Sequence, residues 1–147
     1  MRSVLIRVDQ RIIFMEDTFN LSLGKPQARP GHPWVALSEL SGNLPSEPSV
    51  ATLLDSSGQP LGSGLYDPAD PSSAWRRFSH AEGANFDGDY IASAINDALG
   101  RRSDDHCQRL ISGDADYLPG LEVELYDGIL TIASTHPLVD ANMDEIV

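Results

Sequence analysis

The chain has 147 residues, 41% of them hydrophobic, which suits one ordinary domain or two small ones. Its formal charge is −12 and its pI is near 4.4, a balance that repels polyanions at long range and counts against a free-standing, electrostatically driven nucleic-acid binder. One cysteine, Cys107, excludes an internal disulfide and Cys–Cys zinc spacings, and no apolar run approaches the roughly 18 residues of a membrane span, so a cytoplasmic protein is expected.

The chain opens on two apolar bursts, Val4–Val8 and Ile12–Met15, around Asp9-Gln10-Arg11. Two strands about a tight turn are the simplest reading, with an early helix as the competitor. The first burst ends at Asp9, too soon for a signal peptide. From Asn20 to Pro33 the density of Gly and Pro predicts a loop. It delivers Gly31-His32-Pro33-Trp34-Val35, where Pro33 holds His32 extended and Trp34 is suited to anchor the loop on a core. His32 reads as a structural hydrogen-bonding residue, an RNA contact or a general base.

Ala36–Gly42 is a short strand or turn, and Val50–Asp55 a strand. Ser56–Gln59 has turn chemistry, and Leu61–Tyr66 is the returning strand. Gly62 and Gly64 have G-x-G spacing, but no third Gly and no helix follow. A bulge or a close backbone approach is the expected meaning. Short strands separated by Gly/Pro turns over the first roughly 75 residues suggest a small barrel. Ala74–Ser79 is a connector or strand bearing Arg76 and Arg77. Tyr90–Arg102 has helical apolar spacing, with Asp87 or Asp89 placed to cap it. Arg101 and Arg102 suit the helix C-terminal dipole, with phosphate contact as the functional alternative.

Cys107–Ile111 reads as a short strand, Ser112–Gly120 as a loop carrying Asp114 and Asp116, and Leu121–Tyr126 as a half-buried strand. Asp127-Gly128 predicts a hairpin turn returning through Ile129–Ala133. Leu138–Val147 starts a helix that Asp140 could cap. Cys107 lacks a His-plus-acid partner set and reads as a packed or incidental thiol.

Three segments, in this order and spacing, resemble the large-subunit ribosomal RNA cytosine methyltransferases that make five-methylcytosine with S-adenosylmethionine. Gly31–Val35 matches an (R/G)-H-P-W-(V/I) element of their N-terminal PUA domain. Leu61–Pro68, with Ser72 and Arg77, matches a second run there. Arg109–Glu124 matches R-L-(I/V)-x-G-E-x-D-G-L-P-G-L-x-V-D of their central domain. The resemblance implies an α+β protein: a PUA-like β-barrel over residues 1–73, then a small α/β domain over 74–147, with one main helix and a β-hairpin and cut short at its C-terminus.

It also implies that the chain is the RNA-recognition and substrate-positioning part of such an enzyme. His32, Trp34, Arg76 and Arg77 are then the RNA contacts. Arg109, Gly113, Asp114, Asp116, Tyr117, Pro119 and Gly120 form a loop that lines the cleft or docks the methyltransferase domain. Loop-capping carboxylates are the plainer reading of Asp114 and Asp116. Asp114 stands where the family has Glu, Glu124 where it has Asp, and Tyr117 where it has Gly, so Tyr117 is expected to strain the loop if that position needs a positive φ. The family's C-terminal cofactor domain and its catalytic Cys have no counterpart here. No catalytic residue, metal or bound cofactor is therefore assigned to this chain, and S-adenosylmethionine belongs to the full-length family. Ribosomal RNA, held weakly, and a methyltransferase domain or protein partner are the implied partners. The alternative is an acidic protein-interaction module that does not bind RNA. A Mg²⁺ or Ca²⁺ site at Asp114 and Asp116 is a third.

Overall fold

The computed structural model describes residues 4–8, 11–15, 19–27 and 29–147, the first two stretches by their backbone alone. Strands β1 (Val4–Val8) and β2 (Arg11–Met15) pair antiparallel as the two apolar bursts predicted. The turn expected between them, at 9–10, lies outside the described residues.

The main sheet has six strands: β3 (Phe19–Leu23), β4 (Trp34–Val35), β5 (Leu40–Ser41), β6 (Ser49–Leu54), β7 (Pro60–Tyr66) and β8 (Trp75–Ser79), in the order β4-β8-β7-β6-β3-β5. Its two edge strands, β4 and β5, are consecutive in the chain and joined by one 3₁₀ turn, Leu37–Glu39, so the sheet curls into a nearly closed barrel. The Glu39 carboxylate accepts from Ala36 N–H at 2.9 Å while Glu39 N–H donates to Ala36 C=O at 3.0 Å, fixing that turn. β3 lies where the sequence predicts loop. The pattern Phe19, Leu21, Leu23 has the strand period, Leu21 and Leu23 are buried, and the Gly/Pro density that argued for a loop begins only at Gly24. β3 runs parallel to β6, and the other pairings in the sheet are antiparallel.

Helix α1 (Gly88–Leu99) is capped by Asp87, whose side chain accepts from Tyr90 N–H. It packs Ile91, Ala94 and Ala98 toward a second sheet: β9 (Cys107–Ser112), β10 (Leu121–Tyr126) and β11 (Ile129–Ser134), in the order β11-β10-β9. The β10–β11 hairpin turns on Asp127 and Gly128, both at positive φ, as Asp-Gly predicted. The C-terminal helix is broken into two single turns, α2 (Pro137–Asp140) and α3 (Met143–Ile146). His136, and not Asp140, caps α2, through Nδ1 accepting from Leu138 N–H at 3.1 Å.

Two cores meet on the β7–β8 ribbon. Tyr66 and Trp75 face the barrel with Leu21, Val35, Ala51 and Leu53. Leu65 and Phe78 face the other way, toward Ile91, Ile111, Leu118 and Leu121. The period-two alternation of a strand is the cause: neighbouring residues leave opposite faces. β8 lies past residue 73 and is hydrogen-bonded to both β7 and β4.

Candidate nucleic-acid interface

The same alternation separates the two arginines of β8. Arg76 leaves on the side of Phe78 and grips Asp114 with both nitrogens, Nε to Oδ1 at 3.0 Å and Nη2 to Oδ2 at 2.7 Å. The side chains of this pair are about four-fifths shielded, which makes it a charge-assisted strut between the barrel and the second unit. Arg77 leaves on the other side. Its backbone N–H donates to Pro33 C=O at 2.7 Å and its guanidinium to Gly31 C=O at 3.1 Å, so β8 holds the Gly31–Val35 segment in place.

On that segment Trp34 is 41% exposed. The anchoring role expected of it belongs to Trp75, buried inside the barrel with its indole N–H donating to Ala51 C=O at 2.9 Å. Trp34 instead stands at the edge strand with His32 set edge-on against it, ring centroids 4.1 Å apart at 86°. His32 Nδ1 lies 3.2 Å from Trp34 C=O, so the histidine braces the tryptophan. Beside them is a groove of about 370 Å³ that also reaches Arg29 and Glu39.

The acidic loop is a 3₁₀ turn, Gly113–Asp116, closed by Tyr117 in the left-handed region at φ 57° and ψ 28°. The position occupied by Gly in the family pattern does need positive φ, and Tyr117 supplies it at a cost of about 1–2 kcal/mol. Tyr90 steadies it: its hydroxyl sits 2.7 Å from Tyr117 C=O and 2.6 Å from Phe78 C=O. Burial, then the neighbouring Tyr117 and Asp97, push the Tyr90 phenol up to about 12. At Gly120, φ is 85° and a Cβ would lie 2.7 Å from that of His136, so the LPG turn must pass the α2 cap closely.

Asp116 is buried and accepts from Arg101 at 2.8 Å, from Arg102, and from Ser112 N–H at 2.7 Å. Burial alone would raise its pKa, but the hydrogen bonds from Arg101 and Ser112 and the charge of Arg102 outweigh it and hold the carboxyl below its ordinary value. The helix-end arginines are therefore not free: Arg101, half-exposed, and Arg102, largely shielded, both clamp the loop, a role that sequence reasoning missed because 14 and 15 residues separate the partners. Arg109 pairs with Glu124 at 2.8 Å and Glu122 at 3.4 Å on the exposed face of the second sheet. Asp114 and Asp116 thus bind arginines, which take the oxygens a cation would need. No group of three or more His, Cys, Asp or Glu among the described residues is arranged for a metal.

Gly62 and Gly64 do not fit a cofactor cradle. Both lie inside β7, where a Cβ on Gly62 would strike Ser79 C=O and one on Gly64 would strike the Trp75 ring and Arg76 C=O. They serve close strand packing, as their spacing without a following helix predicted.

Comparison with known proteins places this geometry. A PUA-like domain model matches residues 23–76. A ribosomal RNA large subunit methyltransferase from Deinococcus radiodurans is 32% identical over 116 residues, covering 71% of this chain and 28% of that protein. Two solved methyltransferases share the fold. A SAM-dependent methyltransferase from Streptococcus mutans matches 88% of the chain and 36% of its own at TM-score 0.69 and 16% identity. A methyltransferase complexed with SAH matches 88% and 35% at TM-score 0.67 and 15% identity. The chain spans about a third of the length of each. This chain therefore contains a PUA-like domain and is homologous to part of a large-subunit ribosomal RNA methyltransferase.

Proposed function

We propose that this chain is the RNA-recognition and substrate-positioning part of an S-adenosylmethionine-dependent ribosomal RNA cytosine methyltransferase, working in the cytoplasm and not catalytic by itself. One observation carries the reading. Of the seven basic residues whose side chains are described, Arg76, Arg101, Arg102 and Arg109 are spent on ion pairs. Among the described residues, Lys25, Arg29 and Arg77 have no such partner, and they lie on or against the loop that carries His32 and the exposed Trp34. Unpaired cations beside an exposed aromatic suit a phosphate backbone and an unstacked base.

In this reading Trp34 and Arg77 touch RNA, His32 positions Trp34, and Arg76 transmits the barrel's position to Asp114. The loop of Arg109, Gly113, Asp114, Asp116, Tyr117, Pro119 and Gly120 faces the methyltransferase domain. The division expected at residues 73 and 74 falls just before β8, which completes the barrel between β4 and β7 and attaches the second unit to it. S-adenosylmethionine is held by the methyltransferase domain and not by these 147 residues.

Filter binding of this chain to large-subunit ribosomal RNA fragments tests the proposal. Weak retention is expected at low salt. Three phosphate-facing cations imply a log–log salt slope of about −2. Calorimetry with S-adenosylmethionine is expected to be flat, and micromolar binding would overturn that part. The net charge of −12 favours a second reading, an acidic module for a protein partner. That reading wins if no RNA is retained at low salt while a stable protein partner co-purifies.

A further inference from the structure

The groove beside Trp34 is more than a rim. It holds about 370 Å³, near the lower end of the roughly 300–1,000 Å³ of small-ligand sites, and its walls differ in chemistry. Trp34 supplies an aromatic face, and His32 fixes its orientation from the edge. Arg29 supplies a cation at the exposed lip, and Gln27 and Ser72 supply neutral donors and acceptors. Glu39 supplies an acceptor-only carboxylate. Its Oε2 is committed to Ala36 N–H, which holds the side chain in a fixed rotamer and leaves Oε1 available.

That set matches the parts of one nucleotide. An aromatic face takes a base, a cation takes its phosphate, and a fixed acceptor takes an N–H from the base edge. A carboxylate inside the groove repels a phosphate that enters too far, so the base goes in first. It also favours bases with an exocyclic amino group (cytosine, adenine, guanine) over uracil, whose edge offers a single imino N–H between two carbonyls that face a carboxylate unfavourably. We propose that this groove is a single-nucleotide pocket that captures one unpaired, amino-bearing base of the RNA, stacked on Trp34 with Glu39 accepting from its amino group. The pocket rests on the RNA-binding reading above and adds the class of base, the stacking residue and the selecting residue.

The two tryptophans make the test direct, because Trp34 is exposed and Trp75 is buried with its N–H engaged. In a ¹H–¹⁵N spectrum of the whole chain they give two indole signals, assigned with Trp34→Phe. Titration with CMP, AMP, GMP and UMP is expected to move the Trp34 indole and the Gln27 side-chain amide while leaving Trp75 in place. UMP should bind at least threefold more weakly than CMP. Glu39→Gln is expected to bring CMP and UMP level, and Trp34→Ala to weaken binding of a short single-stranded RNA about tenfold, the loss of one stacked base. Unchanged core methyl signals serve as the folding control for both variants. Equal binding of CMP and UMP to the unaltered chain overturns the base preference. If ribosomal RNA is retained on filters but no nucleotide moves Trp34, and Trp34→Ala keeps full affinity, the pocket is wrong while the RNA reading stands. If no RNA is retained and no nucleotide binds, both fall.

Discussion

Tyr117 occupies a left-handed conformation that an L-residue adopts at a cost, and its ring, 44% exposed and 6.0 Å from His80, recovers little of it. Glycine would relieve the strain but add freedom to the unfolded chain, so Tyr117→Gly should stay within about 0.5 kcal/mol of the parent. Tyr117→Val, β-branched at the same φ, should cost about 2 kcal/mol by urea denaturation. His136 is a second residue whose position sets its chemistry. Burial, opposed by Asp67, reinforced by Arg76 and opposed again by Asp70 and Asp140, holds its pKa below the ordinary 6.5. Its Nδ1 must stay unprotonated to accept from Leu138 N–H. The unfolded chain therefore binds more protons between the folded value and 6.5, and stability falls as pH drops from 6.5 through that window. His136→Asn keeps a capping side chain and should remove this slope, as read by melting temperature between pH 7 and 5. Neither residue's role is written in its local pattern. The family comparison flagged Tyr117 as a departure, whereas His136 resembled any histidine before a proline.

The hairpin β10–β11 was legible to within one residue, its return strand running to Ser134 and not Ala133, because alternation and Asp-Gly are both local signals. Helix α1 was legible to within two or three residues at its ends for the same reason. β3 was not, since a five-residue strand beside a Gly/Pro-rich loop carries too little pattern to outweigh its neighbour. Nor were the clamps. Asp116 reads as a loop acid, and Arg101 and Arg102 read as helix-end charges; only the packing of α1 on the second sheet brings them together. This clamp joins two elements, so its removal should be felt by both. Asp116→Asn leaves the half-exposed Arg101 and the partly shielded Arg102 facing a neutral amide and should cost about 2 kcal/mol. The acid limb of stability should flatten with it. A depressed carboxyl contributes fully above its unfolded value near 4, and that contribution is lost as pH falls through the folded value. Urea titrations at pH 7 and pH 3 check both expectations.

At the scale of the whole molecule, 22 acids face 10 bases, and most of the described bases are already paired. Self-repulsion then exceeds what the surface pairs return. Raising NaCl from 20 to 500 mM should raise the melting temperature by a few degrees even as it weakens any hold on RNA. A small barrel first was readable from strand spacing and turn residues, and the α+β whole from the family resemblance. How the barrel joins the rest was not, because the joining strand carries AWRRFS, a segment equally readable as a connector. That strand and its neighbour β7 put Tyr66 and Trp75 into one core and Leu65 and Phe78 into the other. The ribbon therefore acts as a common wall, and neither compartment can be opened while it stays closed on the other. In deuterated buffer the central amides of β7 and β8 should exchange last and at one shared rate, set by global unfolding alone. A protease should likewise find no cut after which half of the chain survives as a folded piece.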